Sequence, residues 1–409
     1  MTESSTTSRR RFLAGTGALV GVSTLGLSGV LPSPFTASAN AAGAVGARNG
    51  NGKLIVVFLR GGIDGLSAVV PVGDPGYYAA RPTIAIPDTA TLDLDTMFGL
   101  HPALAPIHEL WQDDRLAVIH AVGNPARSRS HFDAQDLLEQ GVTARSSDAR
   151  GWLARHLGST SGSGPYGDLF RGVAISNNVP GSLRGSGALS IPALGSFGLG
   201  GLSGTVRTWD PSLRQAYSGT AAVETRGVSA LNAVKAVQAI TKPAANAGAF
   251  ADAAALLGAG LGVEVVTIDT GGWDTHNAMG THTAGDMFNL LQGLGTNLAA
   301  LQADLDQRGL SEVTTVVMSE FGRRVQENAS GGTDHGTANM MLVMGGAARG
   351  GVVHGTWPGL GANQLDRGDL AIATDVRDVL WELTRDVLGN PSPTAVIPGH
   401  TPTAVGVTG

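Results

Sequence analysis

The run Lys53-Leu54-Ile55-Val56-Val57-Phe58-Leu59 stops abruptly at Arg60-Gly61-Gly62. It is too continuous for a half-exposed strand and too short for a buried helix, so it predicts a central parallel strand covered on both faces. The same form recurs at Leu116–His120, Val263–Ile268 and Val313–Met318, with a fainter copy at Met341–Met344 before Gly345-Gly346. Parallel strands need crossovers. Helical periodicity supplies them, most clearly from Phe288 to Leu305, where Leu290, Leu294, Leu298, Leu301 and Leu305 fall on one face. The fold class expected is therefore α/β, a mostly parallel central sheet flanked by helices.

The chain ends bound the domain. Ser8-Arg9-Arg10-Arg11-Phe12-Leu13 opens a weakly apolar, uncharged run to Leu31, and Ala39-Asn40-Ala41 offers a small-residue cleavage site. That order predicts a twin-arginine signal peptide over 1–41, export by the twin-arginine translocase, and a periplasmic or secreted protein with no stable membrane span after cleavage. A linker is expected over 42–52 and a single α/β domain over 53–390. An irregular, partly helical elaboration is expected at about 158–261, where Gly/Ser-rich loops precede an alanine-rich stretch. A last helix is expected over 375–388 from a cap at Thr374, and a loop-like tail over 391–409.

The formal net charge of −6 gives no reason to expect nucleic acid, which leaves a small-molecule or carbohydrate-like partner. With no cysteine in the chain, disulfides, a thiolate nucleophile and Cys-ligated metals are excluded. Any metal must be held by His, Asp and Glu.

Ligands of open α/β sheets gather beyond the carboxyl ends of the strands. Four groups of residues follow strand runs there: Arg60–Gly65 with Asp64; Asn124–Phe132 with Ser128, Arg129, Ser130 and His131; Gly271–Asn277 with Asp274 and His276; and Ser319–Arg324 with Glu320, trailed by Thr333–Thr337 with Asp334 and His335. Carboxylates and imidazoles converging on one edge repel one another unless a cation sits among them. Convergence would imply a divalent metal, and the donors admit Zn, Mn, Fe or Ca. Taken singly, Asp64 also reads as a turn residue, Asp274 as an Asx turn and Thr333-Asp334 as a helix cap. Ser130 and Ser128 are candidate nucleophiles at a helix start with His131 as base and Arg129 as anion binder, while Ser130 followed by Asp133 also reads as a cap. His101, His108 and His120 read as core or surface histidines, and His354 as a marginal site residue.

The strand with Arg60–Gly65, the segment Ser128–Gln135, the segment Gly272–His276, and Ser319–Arg323 followed by Thr333–Gly336 together resemble a family of exported bacterial proteins known as domain of unknown function 1501. That family distantly resembles the alkaline phosphatase and sulfatase superfamily. The resemblance implies metal at the strand ends and hydrolysis of phosphate or sulfate esters. It places Asp64, Asp274 and His276 as metal residues, Glu320 in the position of an Asp, and Phe321 where a His is expected, so that His335 would supply an imidazole from the later loop. The rival expectation is a non-catalytic extracytoplasmic binding protein that kept the fold.

Overall fold

The computed structural model describes residues 52–198, 206–241 and 248–409. The expected signal peptide, and all of the expected linker but Gly52, lie outside the described residues. The sheet is built from β1 (Lys53–Leu59), β2 (Leu116–Gly123), β3 (Gly172–Ile175), β4 (Leu189–Ser190), β5 (Val265–Thr270), β6 (Val313–Met318), β7 (Asn339–Gly345), β8 (Val353–His354) and β9 (Thr374–Asp375). Its order is β8-β2-β7-β6-β1-β5-β3-β4, with β9 also paired to β2. β1 is central and parallel to both of its neighbours, β5 and β6.

The continuous apolar runs follow from burial on two faces. Ile55, Val57 and Leu59 enter one core, while Leu54, Val56 and Phe58 enter the other, as the two-residue period of a strand requires. The first core is closed by helices α4 (Gly248–Gly258) and α5 (Asp286–Gln307); the second is closed by α2 (Trp152–Ser159) and α6 (Val376–Glu382). On α5 the buried stripe is Met287, Leu291, Leu294, Leu298, Leu301 and Leu305. Leu290, expected in that stripe, is only partly buried beside it. α6 begins one residue later than expected, because Asp375 rather than Thr374 caps it by accepting from the Arg377 N–H at 2.9 Å.

Two departures from the expected order matter for function. The stretch 158–261 contains the helix α3 (Ala222–Gln238) and α4, but it also contributes β3 and β4 to the sheet. β7 runs antiparallel to both β6 and β2. No helix lies between Met318 and Asn339 to carry a crossover, so the chain turns back beside β6. The amino end of β7 therefore lies at the same sheet edge as the carboxyl ends of β1, β5 and β6. Among the described residues no helix is long and apolar enough to cross a membrane.

Candidate metal centre

The loops at this edge approach at backbone distance. Gly61, directly after β1, has φ of 124°, and a Cβ there would stand 2.7 Å from the backbone nitrogen of Asp274. Only glycine suits that conformation and that contact. Arg323, fully buried, ties the loops together: its Nε donates to Gly62 O at 2.5 Å, and its Nη1 to Thr333 O at 2.9 Å. Its Nη2 donates to Gly61 O at 2.5 Å, Trp273 O at 3.2 Å and Asp274 Oδ1 at 2.5 Å. One guanidinium thus spans the loops after β1, β5 and β6 and gives the half-exposed Asp274 a fixed partner.

Three imidazoles close around Asp274. The Nε2 atoms of His335 and His276 each lie 3.1 Å from its Oδ1, and that of His131 lies 3.5 Å from its Oδ2. His131, Asp274 and His335 offer ligand atoms all within 4.8 Å of one another. The Nε2 atoms of His276 and His335 are 2.9 Å apart.

The opposite ring nitrogens fix the tautomers. His335 Nδ1 lies 2.9 Å from the backbone oxygen of Arg129, which can only accept, so that nitrogen carries the proton. His276 Nδ1 donates to Asp334 Oδ1 at 3.2 Å and His131 Nδ1 to Glu320 Oε1 at 2.8 Å. In the neutral rings all three Nε2 atoms are then bare lone pairs pointed at a carboxylate and at one another. A single proton between His276 and His335 would relieve only that contact; His131 Nε2 is buried and has no hydrogen-bond partner. Around these rings stand three carboxylates, Asp274, Asp334 and Glu320, of which Asp274 alone is hydrogen-bonded by a guanidinium, that of Arg323. These carboxylates and the converging lone pairs suit a divalent cation.

The carboxyl groups are in the state such a site requires. Burial pushes Asp274 up, but the hydrogen bond and charge of Arg323, joined by those of His335 and His276 when their rings are protonated, outweigh it and hold the group at about 2. Burial also raises Glu320, and donors from Gln135, the backbone and His131 bring it below the usual range. Asp334 is lowered chiefly by the hydrogen bond from Asn328.

Of the residues singled out from sequence, His131, Asp274, His276, Asp334 and His335 come together. Glu320 joins them at one remove, on the far nitrogen of His131 rather than beside Asp274. Asp64 does not join them: it is fully buried, and Arg81 grips it with Nη1 2.6 Å from Oδ2 and Nη2 3.0 Å from Oδ1. Its place as a metal residue is taken by that internal cation. Arg129 is held through Nη2 by the buried Asp369, a carboxylate also faced by Arg324 Nε at 3.5 Å. Ser130 heads helix α1 (His131–Gln140) but its side chain makes no cap bond, and Ser128 Oγ accepts the Ser130 N–H at 3.3 Å. Among the described residues no hydroxyl hydrogen-bonds to His131, Asp274, His276 or His335. Phe321 packs its ring 4.8 Å from those of His131 and His335, forming an apolar wall of the site. His120 lies in the core, while His354 donates to Arg349 O in a separate contact.

Sequence reasoning missed Arg323 and Arg81 as organising groups, and it missed Gln135. The last was open to discovery, because His131, Gln135 and Glu139 recur at a spacing of four on α1. In the structure Gln135 also donates to Glu320 Oε1 at 2.9 Å, and Glu139 accepts from Arg60 at 2.8 Å.

Residues 123–380, which carry most of this edge, match the model of a family described as a protein of unknown function, DUF1501. The chain belongs to that family. No curated protein matches this DUF1501 chain. Among solved structures it is similar to the C-terminal periplasmic domain of EcEptC from Escherichia coli, at 10% identity over 88% of this chain and 89% of that one, with a TM-score of 0.37. It is similar to the PsFucS1 sulfatase from Pseudoalteromonas sp. at 11% identity over 83% and 68% of the two chains, with a TM-score of 0.34. The lipoteichoic acid synthase LtaP from Listeria monocytogenes follows at 9% identity over 79% and 74%, with a TM-score of 0.31.

Proposed function

We propose that this protein is an exported, metal-dependent hydrolase of phosphate or sulfate esters. The observation that carries the reading is the convergence of three imidazole Nε2 atoms on Asp274, with His131 Nε2 buried and unpartnered. His131, His276, His335 and Asp274 would hold the cation. Three nitrogen donors favour Zn, Fe or Mn over Ca, which takes oxygen ligands. When bound, the ion would supply Lewis-acid polarisation of an ester oxygen. Arg323 keeps Asp274 ionised and fixed in place. Arg129 and Arg324 share the single carboxylate of Asp369 beside His335, which leaves that edge positive and suited to an anionic ester.

The test is metal analysis of the purified mature protein, followed by assay on aryl phosphates and aryl sulfates with Zn, Mn, Fe and Ca. Turnover that follows bound metal is expected; a protein that binds none of these ions would remove the reading. The absence of a hydroxyl contact to the cluster favours a second reading, a non-catalytic binding protein that keeps the cation. Stoichiometric metal without turnover would select it.

Export through the twin-arginine translocase is the companion proposal, supported by Arg9-Arg10 and the weakly apolar run that follows. Replacing both arginines with lysine should strand the precursor in the cytoplasm, because the receptor reads the guanidinium pair rather than charge alone. Continued export of that variant would refute it.

A further inference from the structure

Glu320 is buried at the end of β6, and all of its hydrogen bonds come from neutral groups. Oε1 accepts from the Gly61 N–H at 2.9 Å, from Gln135 Nε2 at 2.9 Å and from His131 Nδ1 at 2.8 Å, while Oε2 accepts from Ser319 Oγ at 3.0 Å. The nearby guanidinium of Arg60 is turned instead to Gln135, Glu139 and Asp269. These donors solvate the Glu320 charge but do not neutralise it, and a buried anion without a cation is costly. The route by which positive charge can reach it runs through the His131 ring, whose other nitrogen is unpartnered and faces Asp274.

We propose that Glu320 is a positioning residue for His131: it holds the Nδ1–H tautomer, aims the bare Nε2 at Asp274 and raises the basicity of that nitrogen. The inference rests on the metal reading for its purpose, but the tautomer it asserts stands independently. Several features make the contact specific. Gln135, one turn beyond His131 on α1, donates to the same oxygen, so the helix is locked in rotation as well as in distance. Ser319 Oγ is itself fixed, accepting the Ile63 N–H at 3.2 Å and lying 2.6 Å from Leu59 O. Phe321 covers the ring from the side. His131 therefore has one rotamer and one tautomer open to it, and both are set by Glu320.

The experiment uses full-length mature protein labelled with 15N-histidine. The tautomer of His131 is read by NMR in metal-free protein, with its signal assigned by loss in His131→Gln, and Zn affinity is measured by competition with a chromophoric chelator. Wild type should show protonated Nδ1 and bare Nε2. Glu320→Ala should lose that single tautomer. Glu320→Gln keeps an accepting oxygen for Nδ1–H without the charge, so it should retain the tautomer while binding Zn about 10- to 100-fold more weakly. An unchanged His131 tautomer in Glu320→Ala, or Zn affinity within about twofold of wild type in Glu320→Gln, would overturn the proposal. Should Glu320→Ala fail to fold, the Glu320→Gln affinity decides alone. Should wild type bind no Zn, the metal reading falls and the tautomer in Glu320→Ala still decides the role of Glu320.

Discussion

Two acidic sites follow strands at the same sheet edge, and the protein completes them in opposite ways. Around Asp64 everything is internal: Arg81 supplies a bidentate cation, Ser67 Oγ donates at 3.0 Å, and Arg81 is further fixed by Val325 O at 2.8 Å and Arg324 O at 3.0 Å. Around Asp274 the bases outnumber the donors, and one imidazole nitrogen is left over. From sequence the two look alike, each a carboxylate in a glycine-rich loop after an apolar run. The difference is one of closure rather than of charge alone: Arg81 occupies both oxygens of Asp64, whereas Arg323 takes only Oδ1 of Asp274 and leaves Oδ2 facing His131.

The largest effect should come from opening the closed site. Arg81→Ala leaves the Asp64 charge buried and unpaired, which is expected to cost about 3–5 kcal/mol in urea unfolding. The double replacement Asp64→Leu with Arg81→Met should instead fold and keep full bound metal. Loss of metal in that double variant would break the comparison, because it would make Asp64 part of the open site.

Acid should stress the enclosed parts next. Burial pushes His101 and His120 down to about 4. His120 is held neutral, its Nε2 donating to Val69 O and its Nδ1 accepting the Ala121 N–H. Both folded values lie below the unfolded value near 6.5, so their stability contribution is complete above about pH 6.5 and is lost as pH falls toward 4. The loss should reach up to about 3 kcal/mol per group. Urea midpoints in chelator at about pH 7.5 and 5 measure it, and a His120→Gln variant should show the shallower dependence.

Metal addition probes the open site alone. At a free concentration 100-fold above Kd, stabilisation of about 2.7 kcal/mol is expected in wild type. His335→Ala should lose it while unfolding near the wild-type midpoint in chelator; Asp274→Ala should lose it too, but from a lowered midpoint, because it removes the carboxylate partner of the buried Arg323. A metal-induced rise in Tm that survived both substitutions would place the ion elsewhere. The smallest effect belongs to Ser130→Ala: with no cap bond to lose, stability should change by less than about 0.5 kcal/mol, and metal content should stay constant. A full loss of turnover in that variant would restore Ser130 as the nucleophile despite its distance from any partner in the cluster.

The sheet was legible because β1, β5 and β6 are buried on both faces, and that burial writes itself into continuous Val, Ile and Leu runs. The direction of β7 was not, since an apolar run carries no sign of strand polarity; the missing helix between Met318 and Asn339 was the clue. His276, His335 and Asp274 could be read as a convergent set from their places after strands. The role of Glu320 could not, because ligand and positioning carboxylates have the same side chain and differ only in which nitrogen of His131 they meet. Nor could the Asp64–Arg81 pair be read, as its partners are separated by two short helices, Gly65–Ala68 and Pro75–Ala80, whose packing no local pattern encodes. The C-terminal tail, expected as loop, carries one turn of helix at Pro393–Val396, and its end is firmly held: buried Glu382 accepts from the backbone N–H groups of Val405, Gly406 and Thr408.

The return of β7 beside β6 also bears on the order in which the site forms. Glu320, Arg323, Asp334 and His335 all belong to one excursion that leaves the sheet at Met318 and re-enters it at Asn339, and pairing such as Leu342 with Val317 closes it. Closing a local excursion loses far less chain entropy than bringing in His131 from almost two hundred residues upstream. We therefore predict that this half of the site assembles with the sheet, and that α1 docks afterwards and delivers the last imidazole. Pulsed hydrogen exchange during refolding should show the amides of β6 and β7 protected before those of α1; earlier protection of α1 would reverse the sequence.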